Sequence, residues 1–288
     1  MIGILSNHSD EVFLNKLNLP FTLIKDVDTQ IDADGLFIDW VPKMPVYEDA
    51  WMRQASLLQA YIKKGIPIVI FDRSFSLTEK EVKWVKKFNT HLFEPALNSD
   101  RLGFDYLPEW ISNFEISIGD EDREYDLVYS HHQLEYVLKE FEKWFKDFSR
   151  LYPEKNVAYS TFKITDFKKE EYKKDNLIYL HQHHPIYNEG KFTVAIDDEQ
   201  AYKIGYISPI VFSSMILGCI PILPVEHKYF HGLFKGLIAK DVQELEYYVS
   251  LYGRVRDVLI EEIFDRIQTE WSEFTVDHAA NVIRNCLL

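Results

Sequence analysis

Short apolar runs bounded by turn residues punctuate the start of the chain: Ile2–Leu5, Phe21–Ile24, Gly35–Asp39 and Pro67–Phe71. Runs this short, with little polar alternation, read as strands buried on both faces, as in a parallel sheet. Between the last two runs the period changes. Over Glu48–Lys64, Trp51, Ala55, Leu58 and Ile62 recur at helical spacing, and Lys63-Lys64-Gly65 closes the helix with positive charge and a glycine stop. Thr78 followed three residues later by Glu81 predicts a capping box at the start of another helix. Strands alternating with helices predict an α/β, doubly wound unit.

The same alternation returns in the second half. Arg101–Phe114 is rich in aromatic and turn residues and reads as an inter-domain crossover; the acidic run Gly119–Glu124 reads as an exposed loop. Strands are expected at Asp126–Ser130, Val157–Phe162, Asn176–Leu180, Phe192–Ile196 and Ile220–Leu223. A loop, SHHQ, leads into a long helix over Leu134–Leu151, and Val242–Leu287 reads as mostly helical. The most informative stretch is 192–224: a strand, a polar loop closing on Gly205-Tyr206-Ile207-Ser208-Pro209, a short apolar helix over Ile210–Leu217, a stop at Gly218, and another strand. Ser208 before Pro209 predicts an N-cap and first-turn pair. Such a start aims free N–H groups and the positive dipole end at an anion, and in an α/β domain it lies at the carboxyl ends of the strands, where nucleotides bind.

Composition narrows the classes. The chain has 288 residues, 47% hydrophobic and 15% aromatic, enough for one large or two medium cores. No apolar run approaches the roughly 20 residues of a membrane helix, so no membrane partner is expected. The N-terminus reads as a first strand rather than a signal peptide. Cys219 and Cys286 suggest no disulfide framework, and a cytoplasmic setting is the default. The net charge of −14 repels phosphate backbones, so any nucleic-acid contact needs a local basic face. Lys80, Lys83 and Lys87 share a helical face and are a candidate, against the alternative of an ordinary solvated helix. No GxGxxG follows a predicted strand, and Walker, HExxH and CxxC motifs are absent, which argues against dinucleotide oxidoreductases, P-loop enzymes and zinc enzymes.

Four stretches together resemble the small bacteriophage DNA glycosyltransferases of the β-glucosyltransferase type: IPIVIFDRSF (66–75), GFDYLP (103–108), YDLVYSHHQ (125–133) and GYISPIVFSSMILGCIPIL (205–223). The last helix, with Trp271 and Phe274, is similar as well. The resemblance implies a GT-B-like architecture: two Rossmann-like domains facing a central cleft, with a C-terminal helix packing back on the first. It places the acceptor domain at 1–112, the nucleotide-sugar donor domain at 113–270, and the returning helix at 271–288. It implies transfer from a nucleotide sugar, most simply a UDP-sugar, to the hydroxymethyl group of modified cytosine in double-stranded phage DNA, with inversion in one displacement. A divalent metal is not required by the fold and stays open.

The resemblance also assigns residues. Asp72 is the candidate base; Tyr129, Ser130, His131, His132, Gly205, Tyr206, Ile207, Ser208 and Ser213 are candidates for the donor. Arg73 is expected to hold Asp72 ionised or to touch an acceptor phosphate, and Trp40, Phe75 and Arg101 are alternatives for filling the gap left by a flipped base. Where the family has glycines and arginines in its diphosphate loop, this chain has Ser130, His131, His132 and Gln133; where the family has an arginine and a ribose-binding glutamate, it has Ile210 and Ser213. Charge compensation then falls to backbone amides, imidazoles or residues elsewhere.

Each assignment has a structural alternative. An Asp after a buried strand often organises a turn. His181, His183 and His184 either line a cleft or follow a strand, with a metal site as the lesser reading. Asp197-Asp198-Glu199 reads as a loop before the donor helix rather than as a metal motif. Two further functions stay open: the same chemistry on a glycan, lipid or protein acceptor, and an inactive nucleotide-sugar-binding protein.

Overall fold

The computed structural model describes residues 1–5, 11–24, 32–41, 48–116, 123–133, 137–163, 166–180, 186–252 and 255–288. The chain divides into two compact units, Met1–Ser112 with Ser272–Leu288, and Asn113–Trp271.

In the first unit the elements run β1 (Ile2–Leu5), α1 (Glu11–Leu17), β2 (Phe21–Leu23), β3 (Gly35–Asp39), α2 (Glu48–Ile62), β4 (Ile68–Phe71), α3 (Glu79–Val85), β5 (Thr90–Glu94) and β6 (Asp105–Tyr106). All six strands are parallel, in the order β2-β1-β3-β4-β5-β6. β1, β3 and β4 are buried throughout, as uninterrupted apolar runs require when helices cover both faces of a sheet. β5 and β6 were not expected: Thr90–Glu94 opens on polar residues, and Asp105–Tyr106 extends the sheet from within the stretch read as a crossover. One face packs Leu36, Ile38, Leu57, Leu58, Tyr61, Ile68, Ile70, Val82 and Val85 together. The other packs Ile4, Phe13, Leu17, Phe37, Val69 and Phe71 against the apolar stripe of the last helix.

That last helix, Val276–Leu287, belongs to this unit. Its stripe of Val276, Ala279, Ala280, Ile283 and Leu287 has helical spacing, and Thr275 caps it by accepting from the His278 N–H. A backbone bridge holds the approach to it: Ile111 N donates to Phe274 O (2.8 Å) and Val276 N to Ile111 O (3.1 Å). Phe274 is thus part of the first unit, whereas Trp271 lies near Phe230 in the second, with ring centroids 6.5 Å apart.

The second unit contains β7 (Tyr125–Gln133), α4 (Leu138–Phe141), a π-helical turn Glu142–Lys146, α5 (Asp147–Leu151), β8 (Val157–Lys163), α6 (Asp166–Lys174), β9 (Leu177–Leu180), β10 (Gly190–Val194), α7 (Glu199–Ile204), α8 (Pro209–Ile216), β11 (Ile220–Pro224), β12 (Ile238–Ala239), α9 (Val242–Tyr252) and α10 (Arg256–Thr269); the last helix of the first unit is then α11. Its sheet is again parallel and six-stranded, in the order β12-β11-β10-β7-β8-β9. Gly205 and Gly218 stop α7 and α8 in the left-handed region, at φ 66° and 74°. The π-helical turn buries Trp144 and Phe145 on successive positions, in contact with the aromatic cluster of Tyr129, Phe141, Tyr159 and Tyr172.

In each sheet the strand order reverses once, between β1 and β3 in the first and between β7 and β10 in the second. At such a point neighbouring crossovers depart to opposite faces and leave a crevice at the carboxyl ends of the strands.

Candidate functional site

At the carboxyl edge of the first sheet, successive strands deliver acids. Asp39 ends β3, Asp72 comes directly after β4, and Glu94 ends β5. All three are buried, as is Glu109. Two arginines tie them together. Arg73 Nε donates to Asp39 Oδ1 at 2.9 Å, and its other arm donates to Glu109 Oε2. Its guanidinium stacks on Phe71 and Trp110, 4.7 and 4.6 Å from the ring centroids. Arg101 donates to Glu94 Oε2 (2.6 Å), Asp72 Oδ2 (2.9 Å) and Leu77 O (2.7 Å) and stacks on Phe104. Aromatic platforms and fixed carboxylates set both planar cations in one orientation. Burial pushes the Glu109 carboxyl up to about 7, against the pull of Arg73. Burial likewise raises Glu94, against Ser99 and Arg101.

The structure surrounds the Asp72 carboxylate with partners of its own. This group is fully buried and already occupied. Oδ1 accepts from Ser76 N (3.0 Å) and from the Ser74 and Ser76 hydroxyls; Oδ2 accepts from Leu77 N (2.9 Å) and Arg101. This carboxylate organises the turn that launches α3, and little of its accepting capacity is left for a substrate hydroxyl. The capping box forms as expected: Thr78 N donates to Glu81, and Glu81 N to the Thr78 hydroxyl. Trp40 is buried within the core cluster that holds Leu36 and Tyr61. Arg101 clamps Asp72 and Glu94 together. Phe75 is half-buried in the same turn, at φ 53°. Asp39 was not singled out from the sequence, although it ends an apolar run as Asp72 does.

The second unit builds its edge differently. Ser208 accepts from Ile210 N (3.4 Å) and Pro209 takes the first turn of α8, as expected. α8 is the crossover helix into β11, so its N-terminus lies at the carboxyl edge. Ile210 in that turn packs on the cluster of Tyr125, Val128, Ala158 and Tyr187, on the β7–β8 face. The Tyr187 hydroxyl accepts from Ser130 N (3.1 Å) and donates to Ser130 O (3.3 Å), fixing β7 at the reversal point. Gly205 stops α7, Tyr206 is half-buried, and Ser213 is exposed with its hydroxyl donating back to Pro209 O.

Two candidate side chains here are buried, and one expected loop is a strand. Tyr129 is a core residue packed on Phe141 and Phe145, and its burial holds the phenol well above its ordinary range. Ile207 is buried too, so only its backbone is placed near the helix start. SHHQ is strand rather than loop: β7 continues through Gln133, with His131 opposite Thr161 and Gln133 opposite Lys163. The side chains of His131 and His132, and all of His181, His183 and His184, lie outside the described residues.

Sequence reasoning also missed groups at this edge. Asp198 caps α7, accepting from Ala201 N at 2.7 Å, where a loop was expected. Buried His227 places Nε2 3.0 Å from Ala195 O and 3.3 Å from Asp197 Oδ2, with its ring edge-on to Tyr202. At the opposite, amino edge, buried Arg123 donates to the carbonyls of Tyr187, Gly190 and Leu217, the last at the C-terminal end of α8. Among the described residues no group of three His, Cys, Asp or Glu could hold a metal ion.

No protein-family model matches the chain, and no curated protein matches it in sequence. Solved structures do match. The chain is similar to a glycosyltransferase from Rickettsia africae, with a TM-score of 0.59 and 9% identity over 98% of this chain and 89% of that one. It is similar to the O-GlcNAc transferase of Thermobaculum terrenum, with a TM-score of 0.57 and 10% identity over 99% and 67% of the two chains. It is similar to TarM, with a TM-score of 0.56 and 9% identity over 88% and 54%; this chain therefore spans little more than half of TarM's length. At such identities the likeness concerns the fold. Two parallel six-stranded sheets with flanking helices, joined in this connectivity, make the chain a two-domain, Rossmann-like protein of the GT-B fold.

Proposed function

We propose that the protein is a glycosyltransferase that moves a sugar from a nucleotide diphosphate donor to an acceptor hydroxyl. The observation that carries this reading is the start of α8, capped by Ser208 and Pro209 at the carboxyl edge of the second sheet, beside the reversal point marked by Ser130. Its amides and dipole suit a leaving diphosphate. TarM has been solved with UDP, which supports a UDP-sugar as the first donor to test. In this reading Gly205, Tyr206, Ser208 and Ser213, with the backbone from Ser130 to His132 and at Ile207, surround the donor.

The first unit supplies the proton acceptor. We assign this role to the Asp39–Arg73–Glu109 group at the β1–β3 reversal point rather than to Asp72. The acceptor oxygen attacks the anomeric carbon, the bond from that carbon to the diphosphate oxygen breaks, and the hydroxyl proton passes to the Asp39 carboxylate. Arg73 pairs with Asp39, and Glu109, with its raised proton affinity, shares the same guanidinium. One displacement of this kind inverts the anomeric centre. The resemblance supports hydroxymethylcytosine in phage DNA as the acceptor; the charge of −14 favours a glycan, lipid or protein hydroxyl.

The test is transfer from UDP-, GDP- and dTDP-sugars to hydroxymethylcytosine DNA and to a glycan and lipid panel, with Asp39→Asn and Asp72→Asn beside the wild type. Product with one donor that Asp39→Asn abolishes supports the assignment. Nucleotide binding without turnover on any acceptor would make the protein a binding module.

A further inference from the structure

The helix α3 carries a surface that sugar transfer does not use. Glu79, Lys80, Lys83, Trp84 and Lys87 line one open groove of about 530 Å³. Trp84 is 37% exposed and Phe88 38%, and the two rings meet edge to face at 5.9 Å. Buried Val82 and Val85 on the opposite side of the helix anchor the aromatic pair to the core. Lys86 extends across Gly103, which brings the loop at Arg101–Phe104 alongside. That loop presents Leu102, 90% exposed, one residue away. Lys83 pairs loosely with Glu79 at 3.4 Å, while among the described residues Lys80, Lys86 and Lys87 have no carboxylate partner. Asp100 and Asp105 flank the loop and limit the patch on that side.

Three lysines beside exposed Trp84, with Phe88 against its ring and with Lys86 and Leu102 on the adjoining loop side, stand out on a chain whose net charge is −14. Aromatic rings and an aliphatic tip suit the boundary between headgroups and acyl chains, and long lysine stems let ammonium groups stay among anionic headgroups. We infer that this face of α3, with the Leu102 loop, docks the protein on an anionic phospholipid surface. No helix among the described residues is long and apolar enough to cross a bilayer, so the contact is peripheral. A nucleic acid would use the lysines and one face of Trp84, but it offers nothing to Leu102, and Phe88 already meets the indole. The inference does not rest on the glycosyltransferase reading.

The experiment is co-sedimentation of the full chain with phosphatidylcholine vesicles, with and without phosphatidylglycerol. A competing single-stranded DNA oligonucleotide is added in a parallel series. Binding is expected only with the anionic lipid and should weaken as salt rises. Each of Lys80→Glu, Lys83→Glu and Lys87→Glu should weaken partitioning by at least roughly fivefold. Leu102→Ser, at a site too exposed to affect folding, should weaken it severalfold at unchanged charge. Equal binding to neutral vesicles, no binding to either, or indifference to Leu102→Ser would overturn the proposal. Displacement by the oligonucleotide at lower concentration than the lipid would overturn it in favour of a nucleic-acid surface.

Discussion

The two sheets end in the same place topologically and in opposite chemistry. At its carboxyl edge the first unit gathers four buried acids around two stacked guanidiniums. The second arranges hydroxyls, a capped helix start and a buried histidine, with no arginine at that edge among the described residues; its one buried arginine, Arg123, sits at the amino edge. An edge of buried carboxyl groups and guanidiniums fixes geometry at the cost of desolvation. An edge of dipoles accepts an anion without holding a counter-charge when empty. One fold therefore carries two chemically distinct edges, set by the residues at the strand ends.

The largest effect that would sharpen this contrast is catalytic. Asp39→Asn should lower turnover by about 10²–10⁴-fold with the fold intact by circular dichroism. A comparable loss in Asp72→Asn at unchanged stability would return the base to Asp72.

Next is a stability effect confined to the first edge. Asp72→Ala leaves Arg101 and two backbone N–H groups without their acceptor and should cost about 3 kcal/mol, read by urea denaturation. A change under about half a kilocalorie would mean that the turn does not depend on this carboxylate.

A smaller effect concerns pH. Glu109 binds its proton more tightly folded, at about 7, than at its ordinary value of 4.5. The folded state therefore holds the extra proton between those values. Its contribution is fully present below about pH 4.5 and is lost as pH rises through about 7. Glu109→Gln should flatten the fall in melting temperature over that window; an unchanged slope would remove Glu109 from the account.

The smallest effect belongs to the second edge. Ser208→Ala removes one helix cap, worth about 1 kcal/mol, and should weaken nucleotide diphosphate binding severalfold in calorimetry. Unaltered affinity would dissociate the helix start from the anion.

Much of this architecture was legible because local and global signals agreed. The buried strands β1, β3, β4 and β11 carry unbroken apolar runs, and Ser208-Pro209, Thr78 with Glu81, and Gly218 mark helix ends by backbone chemistry. What escaped was set by partners distant in sequence. The polar end of β7 is strand because β8 pairs with it through Lys163. β5 is a strand because β4 and β6 flank it. Asp39 and Asp72 give the same signal, an acid ending an apolar run, and only distant partners tell them apart: turn amides on Asp72, the Arg73 guanidinium on Asp39. Arg123 gave no signal, since three carbonyls from separate elements define its place.

The membership of α11 has a consequence for synthesis. The second unit is one continuous stretch and can condense as soon as residue 271 clears the ribosome. The first unit begins earlier but lacks the stripe of Val276, Ala279, Ala280 and Ile283 until Ser272–Leu287 has emerged. Its apolar face on Phe13, Phe37 and Val69 stays open in the nascent chain throughout that interval. The unit whose chain begins first is therefore the one whose core is completed last.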